Sequence, residues 1–187
     1  MKKELELCVK SLDSFDSLKD KLLSKGFFIQ EDFYLDDIYF ISRKNLSTFN
    51  REELLSDYIL IRNRVGEKIM FVIKRKVNNV INSTKCTIND IESGYKFLEE
   101  LGYQKLLRLK AHNVLFTNGK NEIYVQDVEN LGVYVEMEQK NLKLDNNNGD
   151  TLDEMINNLN KYNLNIDKSD YFRKKAYDML KKIKQDI

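Results

Sequence analysis

The chain has 187 residues, 33% of them charged, and a formal net charge of +1. That length fits one domain, residues 1–187, with a real hydrophobic core, and the balanced charge argues against a general nucleic-acid or membrane-surface binder. The start MKKELELCVK has no apolar stretch of a secretory leader, no run approaches membrane-spanning length, and two cysteines without zinc-site spacing fit a reducing cytoplasm.

In chain order, residues 3–10 read as a strand. Ser14 to Lys25 carries Phe15, Leu18, Leu22 and Leu23 at helical spacing, with Gly26 placed to end the helix. Phe27 to Ile41 is strand-like, and Ser42 to Asp57 is polar and reads as a loop. Tyr58 to Arg64 and Lys68 to Lys76, joined at Gly66-Glu67, predict a β-hairpin. Val77 to Ser83 is polar, and Thr84 to Ile88 reads as a short strand. The pattern then repeats. Asn89 or Asp90 caps a helix running to Gly102, and strands follow at 105–116, 121–127 and 132–138 with a turn at Asn118-Gly119. Two similar halves therefore build one antiparallel sheet. Asn141 to Gly149 reads as a linker, and helices over Thr151 to Tyr162 and Asp170 to Lys184 finish the chain.

Two Glu-x-Glu pairs lie on these strands, Glu4 with Glu6 and Glu136 with Glu138. Side chains at i and i+2 of a strand share a face. Each pair thus sets two carboxylates side by side, with Leu5, Leu7, Val135 and Met137 on the other face under helices. Such pairs repel unless a divalent cation sits between them, and hard cations prefer carboxylate oxygens. Arg62-x-Arg64, Lys74-x-Lys76 and Arg108-x-Lys110 supply cationic strands. Acidic and basic strand faces together suggest a site for a metal-chelated polyphosphate, although a solvated strand face gives charged alternation by itself.

Other residues carry less. His112 is the single histidine, and Cys8 has no histidine placed to make it a nucleophile. Tyr34, Tyr39, Tyr124 and Tyr134 suit ring stacking or, more simply, core packing. Lys174-Lys175 and Lys181-Lys182 read as a solvated helix face, and there is no Gly-rich phosphate loop.

Val125-Gln126-Asp127-Val128-Glu129-Asn130-Leu131-Gly132-Val133-Tyr134-Val135-Glu136-Met137-Glu138 closely matches a D-x-V-x-x-LG-x-[FY]-V-E-x-E signature. With Glu4-x-Glu6, Ile61-Arg62-Asn63-Arg64, Lys74 and Asp37-Ile38-Tyr39-Phe40, the sequence resembles the CYTH domain, or triphosphate tunnel metalloenzymes, from Glu4 to Ser169-Asp170-Tyr171. The class IV adenylate cyclase branch is most similar. The resemblance implies an α+β fold: an eight-stranded antiparallel β-barrel, or tunnel, of two similar halves with helices packed outside. It implies Mg²⁺ or Mn²⁺ held by Glu4, Glu6, Asp127, Glu136 and Glu138. Arg62, Arg64, Lys74, Arg108 and Lys110 would bind phosphate, and Lys10 and Lys74 would be catalytic. The partner would be a small-molecule triphosphate (ATP, thiamine triphosphate or tripolyphosphate), with no nucleic acid or membrane, acting on a monomer or homodimer.

Three departures stand against this pattern. The family's third N-terminal residue, a lysine, is Cys8 here, though Lys10 shares its strand face. Asn82-Ser83-Thr84-Lys85 carries no acid where the family often has Arg-x-Glu-x-Glu, and a family arginine falls at His112 or Asn113. The expected function is a class IV cyclase-like conversion of ATP to cyclic AMP and pyrophosphate. The alternatives are a thiamine triphosphatase or inorganic tripolyphosphatase, or a catalytically impaired nucleotide- or polyphosphate-binding module.

Overall fold

Alternating apolar and polar residues commit eight stretches of this chain to strands, because that period buries one face of a sheet and leaves the other polar. The computed structural model describes residues 2–43, 55, 58–77, 80–140 and 148–185. Its strands are β1 (Lys2–Lys10), β2 (Phe28–Ser42), β3 (Tyr58–Arg64), β4 (Lys68–Val77), β5 (Val80–Ile88), β6 (Tyr103–Thr117), β7 (Glu122–Val128) and β8 (Gly132–Lys140). Its helices are α1 (Phe15–Ser24), α2 (Ile91–Glu100), α3 (Asn148–Lys161) and α4 (Lys175–Gln185). The strand order is β1-β5-β4-β3-β2-β6-β7-β8, that of a closed barrel, so the α+β class with eight antiparallel strands stands. The internal repeat is visible as β1-α1-β2 and β5-α2-β6. Each helix is followed by a glycine with positive φ, Gly26 at 82° and Gly102 at 81°, a conformation open to glycine without strain.

The chain forms two compact units, one built on Tyr34–Lys110 and α4, the other on Lys3–Phe33 with Ala111–Lys174. In the second unit, Leu5, Leu7 and Val9 of β1, Val114 and Phe116 of β6, Ile123 and Val125 of β7, and Val135 and Met137 of β8 form one core with Leu18 and Leu22 of α1 and Met155 and Leu159 of α3. In the first unit, Ile38 and Phe40 of β2 and Ile61 of β3 pack with Leu98 of α2, bordered by Ile59, Ile69, Phe71 and Tyr95. Each core lies on one face of its strands, which leaves the alternate residues for the other face.

The ends of α2 show how local chemistry sets an element. Asp90 accepts the Ser93 backbone N–H at 2.7 Å, satisfying one of the donors a helix start leaves open. That bond holds the Asp90 carboxyl below its ordinary pKa. Asp90→Ala is expected to destabilise the start of α2, read as a lower denaturation midpoint with an unchanged slope.

Three expectations need correction. The last helix begins at Lys175 rather than Asp170, because the preceding segment is engaged with β1. Cys8 N–H donates to Tyr171 C=O at 3.0 Å, Arg173 N–H to Cys8 C=O at 2.9 Å, Asp167 N–H to Lys10 C=O at 2.8 Å, and Leu12 N–H to Asn165 C=O at 2.8 Å. Strand β5 begins at Val80, not Thr84, since Asn82 and Ser83 complete a ladder opposite Arg75 and Lys74. Pairing here overrides the weak strand preference of these polar residues. Of the proposed linker, 141–147 lie outside the described residues, and Asn148 and Gly149 already belong to α3. The proposed loop at 42–57 also falls largely outside them; Ser42 ends β2.

Candidate functional site

Strands β1 and β8 pair antiparallel with Glu6 opposite Glu138, Cys8 opposite Glu136 and Lys10 opposite Tyr134. Because Leu5, Leu7, Val135 and Met137 are taken by the helix-packed core, Glu6, Glu136 and Glu138 lie on the other face. One carboxylate oxygen from each lies within 4.8 Å of the others, and Glu136 is buried. Three hard oxygen donors at that spacing fit a small divalent ion of the Mg²⁺ or Mn²⁺ kind, and the negative charge they concentrate is relieved by one. Glu4 stands in register with Lys140; its side chain is outside the described residues.

Asp127 does not join them. It shares strand parity with Ile123 and Val125, which face the helix-packed core, and it is exposed. This corrects its expected place among the metal ligands.

Two further rows continue the carboxylate face of this unit. Leu115, Tyr124, Glu136 and Cys8 stand opposite one another across β6, β7, β8 and β1, and beside them stand Asn113, Gln126, Tyr134 and Lys10. Lys10 Nζ lies 5.9 Å from the centre of the Tyr134 ring, within reach of a cation–π attraction. Cys8 and Asn113 are both buried on this face.

In the other unit, Arg62 and Asp37 face each other across β3 and β2, opposite the core made by Ile38, Phe40 and Ile61. Arg62 Nε donates to Asp37 Oδ1 at 2.8 Å and Nη2 to Oδ2 at 2.5 Å, a bidentate fork with Asp37 buried. Tyr39 follows on the same face, opposite Leu60. Its burial raises the phenol pKa well above the ordinary value, so it stays protonated. Arg64 Nε lies 2.7 Å from Glu67 Oε1. Lys74 stands in register with Ser83 and Lys85 with Val72; the Lys74 side chain is outside the described residues.

Arg108 and Lys110 fall elsewhere. Arg108 forks onto Asp36, with Nε donating to Oδ1 at 2.6 Å and Nη2 to Oδ2. Asp36 shares strand parity with Ile38 and Phe40, so this pair lies on the helix-packed side, away from Arg62 and Asp37. Exposed Lys110 has the parity of Arg108. The expectation that both line a phosphate path is therefore corrected. Arg108→Ala with Lys110→Ala is expected to change tripolyphosphate affinity less than about twofold, since exposed charges a sheet away act weakly; titration calorimetry reads this. His112, with the parity of Val114 and Phe116, lies against the Phe15 ring at 4.9 Å and bonds Asp32 at 2.7 Å.

Two partnerships escaped the sequence reading, Asp37 with Arg62 and Asp36 with Arg108. The signal was available: Asp36 and Asp37 are adjacent, so they point to opposite faces and cannot serve the same one.

No family model matches the sequence, and no curated protein matches it. Solved structures do. PH1819 from Pyrococcus horikoshii OT3 is similar at TM-score 0.73 and 17% identity, over 96% of this chain and 99% of that one. A candidate adenylate cyclase from Vibrio parahaemolyticus is similar at TM-score 0.71 and 14% identity, over 95% and 98%. A candidate adenylyl cyclase from Hippeastrum, with a dominant triphosphatase activity, is similar at TM-score 0.62 and 11% identity, over 97% and 96%. At these identities the likeness is one of fold.

Proposed function

We propose that this chain, which has the CYTH fold, is a metal-dependent enzyme acting on a triphosphate. The observation that carries the reading is the three-glutamate cluster, with oxygens of Glu6, Glu136 and Glu138 within 4.8 Å of one another on the face the helices do not cover. These carboxylates would hold Mg²⁺ or Mn²⁺, which supplies neutralisation of phosphate charge when bound. Arg62, Arg64 and Lys74 would donate charge-assisted hydrogen bonds to phosphate oxygens, and Arg62 arrives already oriented by Asp37. Lys10, on the same strand face as Glu6 and Cys8, would supply the positive charge that Cys8 lacks. In a cyclase, the ribose 3′-hydroxyl attacks the α-phosphate and pyrophosphate leaves; in a hydrolase, water attacks the terminal phosphate. The Asp37-Ile38-Tyr39-Phe40 segment favours the cyclase-like branch.

A second reading has its own support. Arg108 and Lys110 lie off the Arg62 face, and neutral Cys8 and Asn113 stand where charge is expected, which favours a polyphosphate-binding module with weak or no turnover. Incubation with ATP, thiamine triphosphate and tripolyphosphate, with Mg²⁺ or Mn²⁺, separates the two. Turnover of any of them supports the enzyme, binding without turnover supports the module, and binding of none removes both. Glu136→Gln and Arg62→Met are each expected to lower tripolyphosphate affinity in calorimetry.

A further inference from the structure

Asn113 is fully buried in β6, and its Oδ1 has no hydrogen-bond partner among the described residues. Its Nδ2 donates to the Ala111 carbonyl at 2.9 Å. That bond fixes the amide, because a flipped side chain would set two acceptors against each other. A buried acceptor without a donor is uncommon and calls for an explanation.

The neighbours say which face it serves. Val114 and Phe116 belong to the helix-packed core, so Asn113 belongs to the face of Glu136 and Glu138. It stands opposite Gln126, which stands opposite Tyr134; the adjoining row is Leu115, Tyr124 and Glu136. Tyr134 precedes Glu136 by two residues and Glu138 by four, so this row lies about 7 Å and about 14 Å along the strand from them. An amide acceptor in a row with Gln126, Tyr134 and Lys10, beside Leu115 and Tyr124, suits a flat polar ring. It does not suit a phosphate, whose oxygens are acceptors too.

We infer that Asn113 is a specificity residue, whose side-chain carbonyl accepts a hydrogen bond from an amino group on the heteroaromatic ring of an organic triphosphate. The inference rests on the triphosphate reading above. It assigns the ring end of the ligand to the Asn113 row and the phosphate end to the glutamates. The Asn113 carbonyl is closed from solvent, so the ring enters by displacing side chains around it.

The test is calorimetric binding, with Mg²⁺, of ATP, of purine riboside triphosphate (the same nucleotide without the amino group) and of tripolyphosphate. The wild-type protein is expected to bind ATP about tenfold more tightly than the deaminated analogue, the size of one neutral hydrogen bond. Asn113→Leu, which keeps the number and branching of the side-chain heavy atoms and removes the unpaired acceptor, is expected to bring that ratio close to one. Equal wild-type affinities for the two nucleotides would overturn the inference without any variant, and so would an undiminished ratio in Asn113→Leu. If tripolyphosphate binds while the nucleotides are not distinguished, this inference falls and the triphosphate reading survives. If none of the three binds, both fall.

Discussion

Exchanging Glu136 and Glu138 together for glutamine is expected to abolish the stabilisation that Mg²⁺ with tripolyphosphate confers, and to lower any turnover at least about 10²-fold. The reason is local. Oxygens of Glu6, Glu136 and Glu138 lie within 4.8 Å of one another, and a cation bound among them turns that proximity into a gain. A ligand at a hundred times its Kd stabilises the native state by about 2.7 kcal/mol. For a chain of this size that is a rise in Tm of about 5–10 °C. Glutamine keeps the shape and removes the charge, so the change in ligand response reads the charge itself. A wild-type Tm indifferent to millimolar Mg²⁺ and tripolyphosphate would refute the metal reading. So would a double variant that still responds.

The second large effect concerns Arg62. Its fork onto Asp37 is half-buried, with side-chain exposures of 22% and 9%. Asp37→Ala leaves a guanidinium without its bidentate partner, at an expected cost of about 2 kcal/mol, less than for a fully dry pair because water still reaches the arginine. Arg62→Met removes the cation as well as a proposed phosphate contact. It is expected to slow turnover by about 10²-fold. The double variant should lose less stability than the two single losses combined, by about 1–2 kcal/mol, as for any pair in direct contact. Denaturant midpoints of the four proteins give the coupling. Strict additivity would mean the fork contributes nothing. Arg108 forms the same fork with Asp36 but on the helix-packed side. If Arg108→Ala slowed turnover as much as Arg62→Met, the assignment of faces to functions would be wrong.

Much of this was legible in the sequence because strand chemistry is local. The period of two placed Leu5 and Leu7 on one face and Glu6 on the other, and the structure agrees. Gly26 and Gly102 marked the helix ends through their tolerance of positive φ. The errors came where a pattern was counted without its parity. Arg108 and Lys110 looked like a cationic track, yet Arg108 joins Asp36 on the side of Ile38 and Phe40. Asp127 failed in the same way against Ile123 and Val125. The start of the last helix was hidden for another reason. Asp170 is a sound cap residue, but hydrogen bonds joining Asn165 to Leu12, Asp167 to Lys10, and Tyr171 and Arg173 to Cys8 hold that stretch out of a helix. Propensity cannot reveal a competitor more than a hundred residues distant.

The pairing of β1 with β8, and of Cys8 with Tyr171 and Arg173, has a consequence for how the protein is made. A ribosome delivers Glu6 well ahead of its partners Glu136 and Glu138, which follow on the order of ten seconds later at ordinary rates of synthesis. Throughout that interval β1 has neither β8 nor the Asn165–Arg173 stretch beside it, and the edge that β8 covers is open to any passing strand. The candidate metal centre therefore waits on β8, and it is assembled through contacts of very high sequence separation. Such closure is slow, and it exposes the nascent chain to misassociation.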